Sequence, residues 1–263
     1  MINLSVNVNK VATLRNARGG EEPSVTEAAQ VCIAAGCQGI TVHPRADQRH
    51  IRPDDVRALA AMLTTVEFNI EGDVRPDLLD LVSEARPTQC TLVPTDPGEI
   101  TSHRGWNVDK EAEILRPAVE RLKGEGVRVS LFMEAEAADM ADAAAMGADR
   151  VELYTAPYAW AYAQGPEAVE REFARLREAH DAALDAGMEL NAGHDLNLEN
   201  LPRLTCLPGI REASIGHALI SYALYVGLDK AVRDYLRACG HGEAGGPRQG
   251  AGKGLPAHGR AGA

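Results

Sequence analysis

The chain has 263 residues, 45% of them apolar and 4% aromatic, with a formal net charge of −11 at pH 7. That length suits one large domain with an aliphatic core. The acidic balance argues against a nucleic-acid or anionic-membrane surface, while leaving room for a local basic pocket that takes anionic substrates.

In chain order the strand candidates are 2–8, 39–43, 66–71, 88–93, 127–132, 149–154, 188–192 and 212–215. They read as the buried, non-alternating runs of parallel strands. Helices ending in Gly lead into several of them, as in AAGCQGITVH (34–43), GEGVRVSLF (124–132), AMGADRVELY (145–154) and DAGMELNAG (185–193). Segment 24–36 opens with Ser24 as N-cap and Glu27 three residues later, a capping-box pattern. Segment 166–187 has Pro166 in its first turn, an apolar face through Val169, Phe173, Leu176, Ala179 and Ala183, and Gly187 as its stop.

Eight strands alternating with helices fit a closed barrel or an open doubly wound sheet. No G-x-G-x-x-G follows the first strand, and polar residues suited to chemistry follow early, middle and late strands alike. The expected fold class is therefore α/β, a single (β/α)8 TIM barrel over 1–239. The stretch 94–109 is too long for an ordinary βα connection and is read as a lid on the rim. Residues 240–263 hold nine glycines in 24 residues, and a disordered tail is expected there.

All strand C-termini of such a barrel share one rim, so residues distant in sequence converge there. After the first strand come Asn7, Asn9 and Lys10, with Arg15 and Arg18 beyond, a set suited to anion capture or to pairing with Glu21 and Glu22. HPRADQRH (43–50) follows the second strand, with His43 as a candidate acid–base group and Arg45, Arg49 and His50 making the loop cationic. Glu71 ends EFNIEG, where burial would raise its pKa toward values useful for proton transfer; a rim salt bridge is the alternative. Glu152, inside RVELY, points into the barrel or to the helix layer and needs a partner in either place. NAGHD (191–195) presents His194 and Asp195. SIGHAL (214–219) places Gly216 and His217 at a helix start, whose amides suit phosphate.

His43, Glu71, His194 and His217 have metal-ligand chemistry, but no H-x-H or H-E-x-x-H spacing supports a metal. Lys10 is the lone lysine at a strand end, and no G-x-S-x-G marks a serine nucleophile. Acid–base chemistry on phosphorylated small molecules is the reading, with a metal disfavoured. The alternatives are a metal-dependent sugar-phosphate aldolase or epimerase, and a barrel that only carries a phosphorylated ligand. Cys32, Cys37, Cys90, Cys206 and Cys239 form no C-x-x-C pair, so reduced thiols are expected. The N-terminus opens as a strand and no apolar run is long enough to span a bilayer, so a soluble cytoplasmic protein without membrane or nucleic-acid partners is expected.

The motifs NVNKVATLRNARG, GITVHPRADQRHI, FNIEG, CTLVP, VSLF, LNAGHDLN and SIGHALI, in this order, resemble the pyridoxine 5'-phosphate synthase family over roughly residues 2–238. The resemblance implies a (β/α)8 barrel that assembles into octamers and uses no metal or organic cofactor. It further implies condensation of 3-amino-2-oxopropyl phosphate with 1-deoxy-D-xylulose 5-phosphate to pyridoxine 5'-phosphate, phosphate and water. By motif, His43 is a proton acceptor, Glu71 a second acid–base group, His194 a proton donor and Glu152 a transition-state stabiliser. The pentulose phosphate is assigned to Asn9, Lys10, Arg45, His50 and Thr101, and the amino-ketone phosphate to Asn7, Arg18, Asp195, Gly216 and His217. Two positions depart from the family pattern: Asn9-Lys10 stands where many relatives have Asp-His, and Asp195 where some have a Gly. If Asp195 contacts phosphate, its backbone N–H must do so, with the carboxylate turned away.

Overall fold

A computed structural model describes residues 1–96 and 101–242. Eight strands run Asn3–Asn7 (β1), Gly39–Val42 (β2), Glu67–Gly72 (β3), Gln89–Leu92 (β4), Arg128–Met133 (β5), Arg150–Tyr154 (β6), Glu189–Gly193 (β7) and Ile210–Ile215 (β8). Each pairs in parallel with the next and β8 pairs with β1, closing the barrel. The helices are Asn9–Asn16 (α1), Val25–Ala35 (α2), Pro53–Met62 (α3), Pro76–Ala85 (α4), Val108–Gly124 (α5), Met140–Ala145 (α6), Ala156–Ala161 (α7), Pro166–Asp185 (α8), Leu201–Leu204 (α9), His217–Val226 (α10) and Leu228–Ala238 (α11). The expected TIM barrel is the fold observed.

Local chemistry explains several boundaries. The Ser24 side chain accepts from the Glu27 N–H at 3.2 Å and caps α2, which ends at Gly36 in the left-handed region. Pro166 starts α8 as its sequence indicated. β8 begins at Ile210, two residues before the expected start at 212, and pairs with Leu190 beside a register shift.

The strands are buried on both faces as expected, while their side chains alternate between apolar and polar. Leu4, Val6, Ile40, Val42, Phe68 and Ile70 are buried in the apolar core. The residues between them form a polar layer inside the barrel. Ser5 Oγ and Thr41 Oγ1 are 2.7 Å apart, and Thr91 Oγ1 donates to Asn69 Oδ1 at 3.1 Å. Arg150 Nη1 donates to Gln89 Oε1 at 3.2 Å, and Asn191 Nδ2 donates to the same oxygen at 3.4 Å. Gln89 and Asn191 lie on β4 and β7, which are not neighbours, so their contact crosses the interior. Buried polar groups hydrogen-bonded in this way escape the desolvation cost that unpaired ones would carry. The polar layer continues upward into the rim where the strands end.

Residues 9–16 within NVNKVATLRNARGG are helical. Arg15, one of the candidate anion ligands, is buried and structural. Its Nη1 and Nη2 bind Asp55 at 2.5 and 2.9 Å, and Nη2 also reaches the His50 carbonyl at 3.3 Å. It thereby ties α1 to the loop carrying His50 and to α3.

The expected lid at 94–109 falls partly on residues 97–100, outside the described residues, and its last two residues already belong to α5. On the returning limb, Arg104 bonds Asp96 at 3.3 Å and Glu111 at 3.2 Å, while Trp106 Nε1 donates to the Leu92 carbonyl at 2.8 Å. The expected disordered tail lies largely in 243–263, also outside the described residues. Before it, the His241 ring Nε2 stands 2.9 Å from the Ile2 carbonyl oxygen. No helix among the described residues is long and apolar enough to cross a membrane.

Candidate active site

A cavity of about 590 Å³ opens at the C-terminal ends of the strands. Asn7 from β1, Glu71 from β3, Glu152 from β6 and Ser214 from β8 project into it, joined by His43, Arg45 and His50 after β2 and His194 and Asp195 after β7. Asn9, Lys10, Thr101, Gly216 and His217 complete the sequence-derived set along its walls. Arg18 is the exception. It lies two residues past α1, is exposed, and does not line the cavity, so within one chain it makes no part of this site.

Glu71 sits at the centre of a small network. Asn7 Nδ2 donates to its Oε2 at 3.4 Å and Ser214 Oγ to its Oε1 at 3.2 Å. His43 Nδ1 lies 3.7 Å from Oε2, near enough for a proton to pass with a small adjustment. Burial raises the Glu71 pKa, while His194, the Ser214 hydroxyl and Arg45 act the other way. The His43 ring is held from behind: its backbone N–H donates to Asn9 Oδ1 at 2.9 Å, and the Asn9 N–H donates to Asn7 Oδ1 at 3.0 Å. Asn9 thus braces the ends of β1 and β2 with the side chain that was read as a substrate ligand.

Glu152 faces inward, resolving the two orientations open from sequence. It is 1% exposed, and its Oε2 has no hydrogen-bond partner among the described residues. Its pKa is raised well above the ordinary carboxylate range, first by burial and then by Glu71 and Glu212. Burial thus favours the protonated form of this carboxyl. His194 Nδ1 is 4.0 Å from Glu152 Oε1, and the ring packs against Phe132 at 4.5 Å and Tyr154 at 5.3 Å between centroids. Burial lowers the His194 pKa, opposed by Glu71 and Asp195. His194 consequently enters as the neutral imidazole.

Arg45 and His50 form one wall of the cavity. Arg45 Nη2 donates to Ser102 Oγ at 3.3 Å, linking the β2 loop to the loop after β4. His50 Nδ1 accepts from the Ile51 N–H at 2.9 Å, which leaves the ring proton on Nε2. Burial, helped by His43, Arg49, Arg45 and Lys10, pushes the His50 pKa down to about 3. His50 is thus a neutral N–H donor across the working pH range. Opposite, Gly216 precedes α10, and His217 opens that helix beside Asn7. The first amides of a helix have no partner within it and suit an anion. Asp195, which also lines the cavity, accepts from Trp160 Nε1 through Oδ2 at 2.8 Å. Among the described residues no group of three or more His, Cys, Asp or Glu side chains is arranged to hold a metal ion.

The family model described as "Pyridoxal phosphate biosynthesis protein PdxJ" matches residues 4–241. The chain belongs to this family. Curated relatives include the pyridoxine 5'-phosphate synthase of Bacteroides thetaiotaomicron, 51% identical over 236 residues, covering 89% of this chain and 98% of the relative. The enzyme of the same name from Xanthomonas oryzae pv. oryzae is 51% identical over 245 residues, covering 89% and 95%. Among solved structures, phosphoribosyl anthranilate isomerase from Thermotoga maritima superposes with a TM-score of 0.57 at 13% identity, covering 91% of this chain and 99% of that one. At that identity the likeness is one of barrel fold alone.

Sequence reasoning missed some of the lining. Ser102, Trp160, Asn197 and Ser214 also face the cavity. Ser214 carried a usable signal, since it alternates with the apolar Ala213 and Ile215 on a strand whose interior side is polar. Trp160, on the short helix α7 and 52% exposed, carried none that separates it from a surface aromatic.

Proposed function

We propose that this chain is a pyridoxine 5'-phosphate synthase, condensing 3-amino-2-oxopropyl phosphate with 1-deoxy-D-xylulose 5-phosphate to give pyridoxine 5'-phosphate, inorganic phosphate and water. The observation that carries the reading is one cavity holding His43, Glu71, Glu152 and His194 between two groups of anion-binding residues. Membership of the family supports the substrate pair.

The substrate amine is its own nucleophile, so imine formation needs no enzyme lysine. Later steps need protons removed from carbon and delivered to departing oxygens. His43 takes a proton from carbon, with Glu71 at 3.7 Å stabilising the imidazolium that results. Glu71 serves as the second acid–base group, its carboxylate oriented by Asn7 and Ser214. His194, neutral at the start, donates a proton that it has first picked up during turnover. Protonated Glu152 donates a hydrogen bond to oxygen as charge develops there, the role of an oxyanion-hole donor. Arg45, His50, Lys10 and Thr101 are assigned to the pentulose phosphate, and the Asn7 amide with the amides at Gly216 and His217 to the amino-ketone phosphate. Asp195 contributes through backbone only. Binding both phosphates aligns the reacting carbons, so binding energy is used to lower the barrier.

The octamer implied by the resemblance belongs to the same reading. Leu14 on α1 and Leu224 and Tyr225 on α10 are large exposed apolar side chains, which supports self-association. A cytoplasmic setting accords with the five free cysteines. The test of function is direct: incubation of the full chain with both substrates should release phosphate and generate the pyridoxine chromophore, and either substrate alone should do neither. Phosphate release from a single substrate would replace synthesis with a phosphatase.

A further inference from the structure

His194 and Asp195 are consecutive, neither is glycine, and both have left-handed backbone, with φ of 82° and 56°. Side chains of L-residues disfavour that region, a β-carbon crowding the backbone carbonyl, and Asp tolerates it better than His. Two in a row persist only where surrounding groups fix them.

The fixing groups come from two sides. Thr155 Oγ1 lies 2.6 Å from both the Gly193 and the His194 carbonyl oxygens, and Asn200 Nδ2 donates to the Asp195 carbonyl at 3.1 Å. These hold backbone oxygens. The third contact holds a side chain: Trp160 Nε1 donates to Asp195 Oδ2 at 2.8 Å. It runs from α7, which follows β6, to the loop that follows β7. The Trp160 ring meets Tyr154 edge-on at 6.3 Å and 90°, and Tyr154 meets the His194 ring edge-on at 5.3 Å and 80°. Phe132 closes the other side of the imidazole. An indole 52% exposed adds little to the core, yet its one donor is spent on the residue next to His194.

We propose that Trp160 and Asp195 form a positioning latch across the cavity mouth that holds the backbone turn carrying His194 and thereby aims its imidazole at the carboxylates inside. The proposal rests on the role of His194 given above. The latch touches the reaction only through that ring, so Trp160 is a positioning residue. It also gives a physical reason for an aspartate at a position where glycine would take the turn unaided: the acid brings its own tether. The groups facing His194 are Glu152 from β6, Glu71 from β3, His43 and Arg45 after β2, and Asp195 beside it.

The test compares wild type, Trp160→Phe and the double variant Trp160→Phe/Asp195→Gly. Phenylalanine keeps a ring and removes the donor. Glycine then adopts the turn without a tether. For each protein kcat and KM are measured on the two substrates, and the His194 ring is titrated by 15N NMR, its signal identified by loss in His194→Gln. We expect Trp160→Phe to lower kcat by about ten- to a hundred-fold through a misplaced ring, with KM changed less than about two-fold. The His194 midpoint should rise, because a loosened turn admits water to a ring whose pKa burial holds down. The double variant should recover most of the lost kcat and return the midpoint. Wild-type kcat and midpoint in Trp160→Phe would overturn the latch, as would a double variant no better than the single one. The titration needs no turnover. A midpoint that moves and returns in a chain making no pyridoxine 5'-phosphate would remove the proposed function and leave the latch standing.

Discussion

Gly193 leaves the space that the Glu152 carboxylate occupies: a β-carbon at Gly193 would stand 2.0 Å from Oε1. Glu152 is buried on the adjacent strand, so its position depends on a missing side chain across the β6–β7 pair. Gly193→Ala must displace the carboxylate or the strand, and overpacking of this kind costs about 1–3 kcal/mol. We expect a folded protein with kcat lowered by about a hundred-fold, the loss typical of removing one oxyanion-hole donor. Unchanged kcat would show that the placement of Glu152 does not matter to turnover.

Glu212 supplies a pH prediction at the opposite end of the interior. It is 2% exposed, its Oε1 has no partner among the described residues, and burial followed by Glu67 raises its pKa to about 7 from an ordinary 4.5. The folded protein therefore keeps a proton that the unfolded chain gives up. The stabilising contribution is complete below pH 4.5 and is lost as pH rises through about 7. Its full size is on the order of 3 kcal/mol. Thermal unfolding between pH 4.5 and 8 should show wild type losing more stability with rising pH than Glu212→Gln. Parallel curves for the two proteins would contradict this.

The acid–base assignments predict a common phenotype. His43→Ala, Glu71→Gln and His194→Ala should each lower kcat by about 10²–10⁴-fold, with far-ultraviolet circular dichroism unchanged. Glu71→Gln keeps the shape of the side chain while losing its proton chemistry, so it is the sharpest of the three. Wild-type rates for all three would separate this network from catalysis.

Arg45 tests the anion cradle. Removing one charged hydrogen-bond donor costs about 1.5–3 kcal/mol, so Arg45→Ala should weaken pentulose phosphate binding by roughly ten- to a hundred-fold. The salt dependence of that binding should flatten as well. Calorimetric titration in low and high salt reads both effects, and an unchanged binding constant removes Arg45 from the site.

Much of this was legible because strand ends are legible. The runs before His43, Glu71 and His194 are short, apolar and stopped by a polar residue, and a closed barrel brings every such stop to one rim. What was not legible depended on partners remote in sequence. Arg15 and Arg18 look alike in NVNKVATLRNARGG, yet Asp55 buries the first and the second stays outside the cavity. Asn9 reads as a ligand, and its bond to the His43 backbone could not be seen in the sequence. The alternation of Ser5, Thr41 and Asn69 with aliphatic neighbours was present in the sequence, and a polar barrel interior is the feature that gives it meaning. Trp160 gained its place only through Asp195, 35 residues away.

The most direct measurement is product stoichiometry in chelator-treated protein supplied with 3-amino-2-oxopropyl phosphate and 1-deoxy-D-xylulose 5-phosphate. Pyridoxine 5'-phosphate and inorganic phosphate should appear one for one, at the rate of untreated protein. Failure to close the pyridine ring, or a rate abolished by chelator and restored by added metal, would contradict synthesis by these side chains alone.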